Sequence, residues 1–232
     1  MSERVLITGG AGGIGVAIAA RAIEEGYEPV VIDRVGSGII ADLSDPVETA
    51  EALQEALRGG PITRLVNNVG MIKVSRLEDL SLEELEMTWA VNTRTAVQCA
   101  QAVLPSMKEA NFGRIVNISS RAALGKEGRS AYAASKAALM GLTRTWSLEL
   151  GVHGVTVNTL GPGPIRTPMF EAANPPGEPA TEAIINGIPM KRMGEPEDIA
   201  HSVAYFLDAR TGFVTGQTLF VCGGKSVGQV GM

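Results

Sequence analysis

The sequence predicts an α/β fold built on one doubly wound parallel sheet. Three observations predict it. Short apolar runs alternate with helical patterns of ten or more residues along the chain, the pattern of a parallel sheet covered on both faces. A glycine-rich stretch, LITGGAGGIG at positions 6–15, lies between the first apolar run and the first helical pattern. The length of 232 residues, 45% hydrophobic and 19% charged, suits one large core and is short for two.

The elements follow in order. Arg4–Thr8 is an apolar run stopped by glycines, a buried strand. Residues 15–25 carry apolar side chains at helical spacing and end at Gly26. Residues 29–33 and 39–42 read as the second and third strands. Pro46–Arg58 is helical, with proline at an early position that tolerates it. Arg64–Asn67 is a strand. Ser81-Leu82-Glu83-Glu84 reads as a capping box opening a long helix to about Met107. Then come a strand over 114–119, a helix over Ser130–Leu150 and a strand over 156–160. Residues 164–189 are rich in Pro and Gly and read as irregular. A helix over 196–206 and a strand over Thr218–Val221 close the chain.

One connection is unusual. Five residues, 34–38, separate the second and third strands, and five residues reach roughly 17 Å when extended. Parallel neighbours normally need a crossover of a dozen residues or more. No helix is expected between these two strands.

Composition excludes several function classes. The net charge of −5 gives no reason to expect a nucleic-acid or anionic-membrane surface. No apolar run has the length of a membrane span, and no basic region followed by an apolar stretch marks a signal peptide. Cys99 and Cys222, the two cysteines, form no metal pattern and are expected as buried reduced thiols. No metal site is expected, and the expected location is cytoplasmic.

The glycines have a physical use between a strand and a helix. They let the chain turn tightly and approach a bulky anion, while the helix N-terminus points free N–H groups at it. Gly10, Gly12 and Gly15 satisfy G-x-G-x-x-G, and Thr8, Gly9, Gly13 and Gly15 satisfy T-G-x-x-x-G-x-G. A dinucleotide pyrophosphate suits such a site, and the fold is then of the Rossmann type. Asp33 ends the second strand 18 residues beyond Gly15. Its carboxylate can accept from both ribose hydroxyls of an adenosine and repels a 2′-phosphate, which favours NAD over NADP. Arg34 beside it offers a competing cation.

Farther on, Tyr132 and Lys136 stand four apart in a predicted helix, on one face. A nearby ammonium and an oxidised nicotinamide both favour phenolate, so the tyrosine can exchange a proton with an alcohol or ketone. The strand over 114–119 delivers Ser119 or Ser120 to the sheet edge where open α/β sheets bind ligands.

These residues carry a resemblance. The chain is similar to the short-chain dehydrogenase/reductase family over nearly its whole length. The matching motifs are the glycine stretch from Thr8 to Gly15, Asn67-Asn68-Val69-Gly70, Val91-Asn92-Thr93, Tyr132-Ala133-Ala134-Ser135-Lys136, and GPGPIRT at 161–167. Val69 departs from the family's alanine. The resemblance implies an oxidoreductase passing hydride between a nicotinamide cofactor and a secondary alcohol or ketone. Tyr132 would be the acid/base, and Lys136 would tune it and bind the nicotinamide ribose. Ser120 would orient the reacting oxygen, and Asn92 would hold a water linking Lys136 to solvent. Asp42 and Leu43 would contact adenine. Thr8, Gly9, Gly12, Gly13, Ile14, Gly15, Asp33, Arg34, Asn68, Val69, Gly70, Pro162 and Gly163 would line the cofactor site. Ile165 and Thr167 would meet the carboxamide. The family's serine usually precedes the tyrosine by 13 residues, which gives Ser119; alignment on the Ile-Ser-Ser pattern gives Ser120, the preferred choice.

Residues 168–189 are expected as a lid over the substrate, with Met169, Phe170 and Met190 as candidate apolar walls. They suggest a cyclic, aromatic or alkyl substrate rather than a highly charged one. Arg121 and Arg129 flank the catalytic loop and read by default as solvated arginines. His153 and His201 read as packing residues. A 3-oxoacyl-thioester reductase and a non-catalytic dinucleotide-binding scaffold are the alternatives. The family also suggests a homo-oligomer, a tetramer or dimer packed on helices 81–107 and 130–150. The C-terminal GGKSVGQVGM could then reach a neighbouring subunit.

Overall fold

The structure is a computed structural model, and it describes residues 3–228. The end of the C-terminal GGKSVGQVGM stretch lies outside them. Seven strands form one parallel sheet in the order β3-β2-β1-β4-β5-β6-β7. They are β1 Arg4–Thr8, β2 Glu28–Asp33, β3 Ile39–Ile40, β4 Arg64–Asn67, β5 Gly113–Ile118, β6 Val155–Pro162 and β7 Thr218–Val221. The helices are α1 Gly13–Glu24, α2 Pro46–Arg58, α3 Leu82–Trp89, α4 Thr95–Glu109, α5 Ser130–Leu150, α6 Pro168–Ala173, α7 Pro179–Asn186 and α8 Pro196–Leu207.

Alternation along the strands explains the two cores. Val5 and Ile7 of β1, Val66 of β4 and Val116 of β5 face α1 and α8, against Ile18, Ala22, Ile199 and Phe206. Leu6, Leu65 and Ile115 point the other way, into a core with Leu53 of α2, Val103 and Met107 of α4, and Leu150 of α5. With a period of two, both faces of a parallel strand must be apolar.

Between β2 and β3 there is no helix, as the chain length requires: residues 34–38 form bends only. The third strand shrinks from the expected four residues to two, pairing Ile32 with Ile39 and Asp33 with Ile40. So short a return suits so short a connection. Gly36, at φ +99°, packs on Ala11; a Cβ there would lie 2.9 Å from the alanine's own. The bends thus rest against the glycine stretch.

Two other expectations change. The long helix begins at Leu82, where Ser81 Oγ accepts from Glu84 N at 3.1 Å. Its Glu84 carboxylate pairs with Lys73 at 3.4 Å, so the capping box is half made. The helix is also interrupted: residues Ala90–Arg94 form a π-helical turn between α3 and α4. The stretch read as irregular holds α6 and α7, each starting on a proline. Proline pre-sets φ and loses no needed N–H at that position.

Chain order reverses between β1 and β4, which are neighbours in the sheet. In open α/β sheets ligands bind outside the strand C-termini at such a switch point.

Candidate active site

The glycine stretch lies at that switch point, and its glycines divide by task. Gly9 has φ +67°, and a Cβ there would lie 2.9 Å from Val69 Cα. Gly15 packs α1 onto the loop: a Cβ would overlap Gly9 O and lie 2.8 Å from Gly10 Cα. Gly12 is different. A Cβ there would meet nothing within 4 Å, because the residue faces open space at the N-cap of α1. The α1 N-terminus has no side-chain cap and no acidic residue in its first turn. Its positive end is therefore free for an anion.

A cavity of about 700 Å³ runs from this loop. It is lined by the expected Gly9, Gly12, Gly13, Ile14, Asp33, Arg34, Asp42, Leu43, Asn68, Val69, Gly70, Thr167 and Met169. Ala41, Ser44, Met71, Met87 and Val91 also line it; Val91 opens the Val91-Asn92-Thr93 motif, and no motif marks the others, though Met71 directly follows Gly70. The glycine cradle, the free helix end and the long cavity fit a dinucleotide.

Asp33 is held by the loop it faces. Its Oδ2 accepts from Ala11 N at 3.0 Å and its Oδ1 from Arg34 N at 2.6 Å. A carboxylate has about four acceptor sites, so capacity remains for ribose hydroxyls. Asp42 accepts from Ser44 N at 2.8 Å, and that bond holds its carboxyl below the usual range.

Several expected cofactor residues shape walls and do not line the cavity. Thr8 is fully buried, and its hydroxyl accepts from Asn68 N and Val69 N, each at 3.1 Å. Asn68 Nδ2 answers by donating to Thr8 O and Gly9 O. These bonds clamp the end of β1 to the end of β4. Gly163 lets β6 approach Cys222, where a Cβ would lie 2.7 Å from Cα, and Pro162 is the buried last residue of β6. Ile165 is buried and faces a separate cavity of about 150 Å³ bounded by β7. Thr167 does line the large cavity, and its Oγ1 also caps α6 by accepting from Phe170 N at 3.2 Å. Phe170 is half-buried outside the large cavity.

Behind Gly70 stand Lys136 and Asn92. A Cβ on Gly70 would lie 3.0 Å from Lys136 Nζ and 3.4 Å from Asn92 Oδ1, so only glycine leaves them undisturbed. The two serines separate cleanly. Ser119 is buried and donates to Lys136 O at 2.6 Å, turned into the protein. Ser120 accepts from Ala122 N at 3.1 Å and hydrogen-bonds the Tyr132 side chain.

Burial dominates the electrostatics of the site. Burial raises the Tyr132 phenol, opposed first by the Ser120 hydrogen bond and then by Arg129. Lys136 stands on the same face of α5 as the phenol. Its ammonium lies 5.9 Å from the ring centroid and donates to Ile118 O at 2.8 Å. Burial pushes Lys136 itself down to about 8. Asn92 sits in the π-helical turn. Its Oδ1 accepts from Met71 N at 2.8 Å, and its Nδ2 donates to Met71 O at 3.1 Å and Ser135 Oγ at 2.9 Å. Both amide donors are thus taken within the protein, while Oδ1, which accepts one bond, keeps acceptor capacity for a water. Ser135, which no functional reading singled out, ties α5 to this turn.

Residues 9–226 match the family model described as Enoyl-(Acyl carrier protein) reductase. The chain belongs to the short-chain dehydrogenase/reductase family. It is 37% identical over 240 residues to BbsD of Thauera aromatica, a subunit of a hydroxy(phenyl)methylsuccinyl-CoA dehydrogenase, covering 96% of each chain. It is 33% identical over 245 residues to the 3-oxoacyl-acyl-carrier-protein reductase FabG of Staphylococcus epidermidis, covering 97% of this chain and 99% of that one. Among solved structures, a blue fluorescent protein from a metagenomic library, in complex with NADPH, superposes with a TM-score of 0.88 at 33% identity. That match covers 96% of this chain and 97% of the other. The protein is therefore an oxidoreductase of this family with a nicotinamide dinucleotide as cofactor. Among the described residues no helix is long and apolar enough to cross a membrane.

Proposed function

We propose that the protein is an NAD-dependent dehydrogenase that interconverts a secondary alcohol and its ketone. The observation that carries this is the meeting of Ser120 and Tyr132, with Lys136 packed against Gly70 of the glycine-loop cavity. A bound nicotinamide would supply or accept the hydride. The chain supplies everything else. Ser120 holds the substrate oxygen beside the phenol. Tyr132 gives its proton to that oxygen during reduction and takes one during oxidation. The raised phenol keeps its proton at neutral pH, so oxidation is favoured as pH rises. Lys136 supports the cofactor ribose, and Asn92 fixes the Met71 segment and α5 around it. Asp33 accepts ribose hydroxyls while Ala11 N holds it in place, which supports NAD over NADP.

Residues 168–189, with α6 and α7, act as the substrate lid. Exposed apolar residues on the long helices, Leu82 at 76% and Leu148 at 84%, support a homo-oligomer packed on α3 and α5; a cytoplasmic location completes the reading.

The relatives favour a second substrate reading, reduction of a 3-oxoacyl thioester, since one acts on a CoA ester and another on an acyl-carrier-protein ester. One experiment separates the readings. The protein is assayed at 340 nm with NAD or NADP against secondary alcohols, and in reverse with a 3-oxoacyl thioester. Turnover of free alcohols with NAD supports the first reading. Turnover confined to the thioester supports the second, and binding of NAD with no turnover of either refutes both.

A further inference from the structure

The chain is acidic overall, with a net charge of −5, yet among the described residues the segments around Ser120 and Tyr132 carry cations with no carboxylate paired to them. Four cations come from separate pieces of chain. Arg121 opens the turn that follows Ser120. Arg129 immediately precedes α5, which carries Tyr132. Lys126 lies on the loop between them. Lys225 comes from the segment after β7, and its Nζ donates to Ile184 O in α7 at 3.1 Å. That bond brings the C-terminal segment against the lid.

The two lysines feel the neighbouring cations. Lys126 is held below the usual lysine range by partial desolvation, then by Arg129, Arg121 and Lys225. Lys225 is lowered by desolvation and by Arg121. Arg129 also acts on the Tyr132 phenol, so the cluster reaches the reacting centre. Among the described residues none of the four forms an ion pair. Glu127, the carboxylate on the same loop, pairs instead with Arg76 at 2.9 Å. Arg129 Nε is buried without a hydrogen-bond partner. Gathering like charges and leaving a guanidinium N–H unsatisfied both cost stability. Such unmatched charge beside a reactive group marks a functional site, because a ligand can complete it.

We propose that Arg121, Lys126, Arg129 and Lys225 form an anion subsite, and that the natural substrate carries a carboxylate or phosphate held there while its alcohol or ketone oxygen reaches Tyr132. The proposal rests on the reading of Tyr132 as acid/base. It refines the expectation of a cyclic, aromatic or alkyl substrate that is not highly charged: the apolar residues contact the body of the molecule and the cations hold its end. It also gives the lid a tie to the subsite, through Lys225 and α7.

Calorimetric titration tests this with three probes: succinate, inorganic phosphate and neutral succinamide. Each is titrated into the protein with and without saturating NAD, and into the double variant Arg121→Gln, Lys126→Gln. The expected result is saturable binding of an anion to the NAD complex, at least tenfold tighter than succinamide. The double variant should lose tenfold or more of that affinity while its NAD affinity and circular dichroism stay unchanged. Binding of succinate assigns a carboxylate and binding of phosphate alone assigns a phosphate; either supports the subsite. Anions that bind no better than succinamide, or that bind the double variant equally well, overturn it. Anion binding retained in a protein with no NAD affinity would fault the dehydrogenase reading and leave the subsite standing.

Discussion

Gly12 and Gly15 stand three residues apart in one loop, and the structure predicts opposite consequences for an added methyl. In Gly15→Ala the new Cβ overlaps Gly9 O and lies 2.8 Å from Gly10 Cα and 2.9 Å from Asn68 Nδ2. Carbon atoms rest at about 3.5–4.0 Å, so α1 must retreat by roughly 1 Å. Overpacking of this kind costs about 1–3 kcal/mol. Moving the Asn68 amide endangers its bonds to Thr8 O and Gly9 O, each worth about 1 kcal/mol. The alanine returns about 1 kcal/mol of helix propensity. The net is a loss of about 2–3 kcal/mol, which in a protein of this size lowers Tm by about 5–10 °C. Gly12→Ala meets no atom and has φ −145°, open to any residue. Its stability cost stays below about 1 kcal/mol, that of a poor N-cap. Its methyl instead enters the dinucleotide cavity and weakens NAD binding by about tenfold, or 1.4 kcal/mol. Thermal unfolding and NAD titration on both variants check this. A Gly15→Ala protein as stable as wild type, or a Gly12→Ala protein with full NAD affinity, would refute the assignment.

Lys136 makes stability depend on pH. Its folded value near 8 lies below the unfolded 10.5, so folding pays about 3 kcal/mol wherever both states are protonated, below pH 8. Between pH 8 and 10 the unfolded chain binds more protons and stability rises with pH; above 10 the raised Tyr132 begins to oppose it. Lys136→Met should flatten that rise in denaturant midpoints measured across the window, and a wild-type curve flat from pH 8 to 10 would contradict the burial argument. Asp33→Ser removes the acceptor of Ala11 N and of the ribose. It should cut kcat/KM with NAD by about 10–100-fold, the worth of charge-assisted hydrogen bonds, and raise use of NADP; an unchanged cofactor ratio would sink the role. In Arg64, buried and stacked on Tyr27 and Phe112 at 4.4 and 4.8 Å, replacement by Ala should cost about 3 kcal/mol, read as a lowered Tm with NAD affinity intact.

What could be read from the sequence was what local stereochemistry or chain length compels. A strand, five glycines and a helix leave few uses for so permissive a backbone, and five residues between parallel strands leave no room for a helix. The β3 strand came out shorter than its apolar run because its pairing is limited by the return that the same five residues allow. The π-helical turn at Ala90–Arg94 has no signature in periodicity, since its apolar positions fit an α-helix as well. Helices α6 and α7 were signalled by Pro168 and Pro179 at first helical positions, but a stretch rich in proline reads as irregular by composition. Ser119 and Ser120 are indistinguishable as letters; burial and the Lys136 carbonyl separate them. The cation cluster was least legible. Arg121 and Arg129 look like ordinary surface arginines until Lys225 is brought near Arg121 and Lys126 from the far end of the chain.

Replacing Tyr132 with Phe tests the central claim most directly, by following reduced nicotinamide in a single experiment alongside NAD affinity. Removal of a positioned acid/base costs about 10²–10⁴-fold in rate. The account predicts that Tyr132→Phe loses at least a hundredfold of turnover while binding NAD as wild type does. A variant that turns over at the wild-type rate would contradict it.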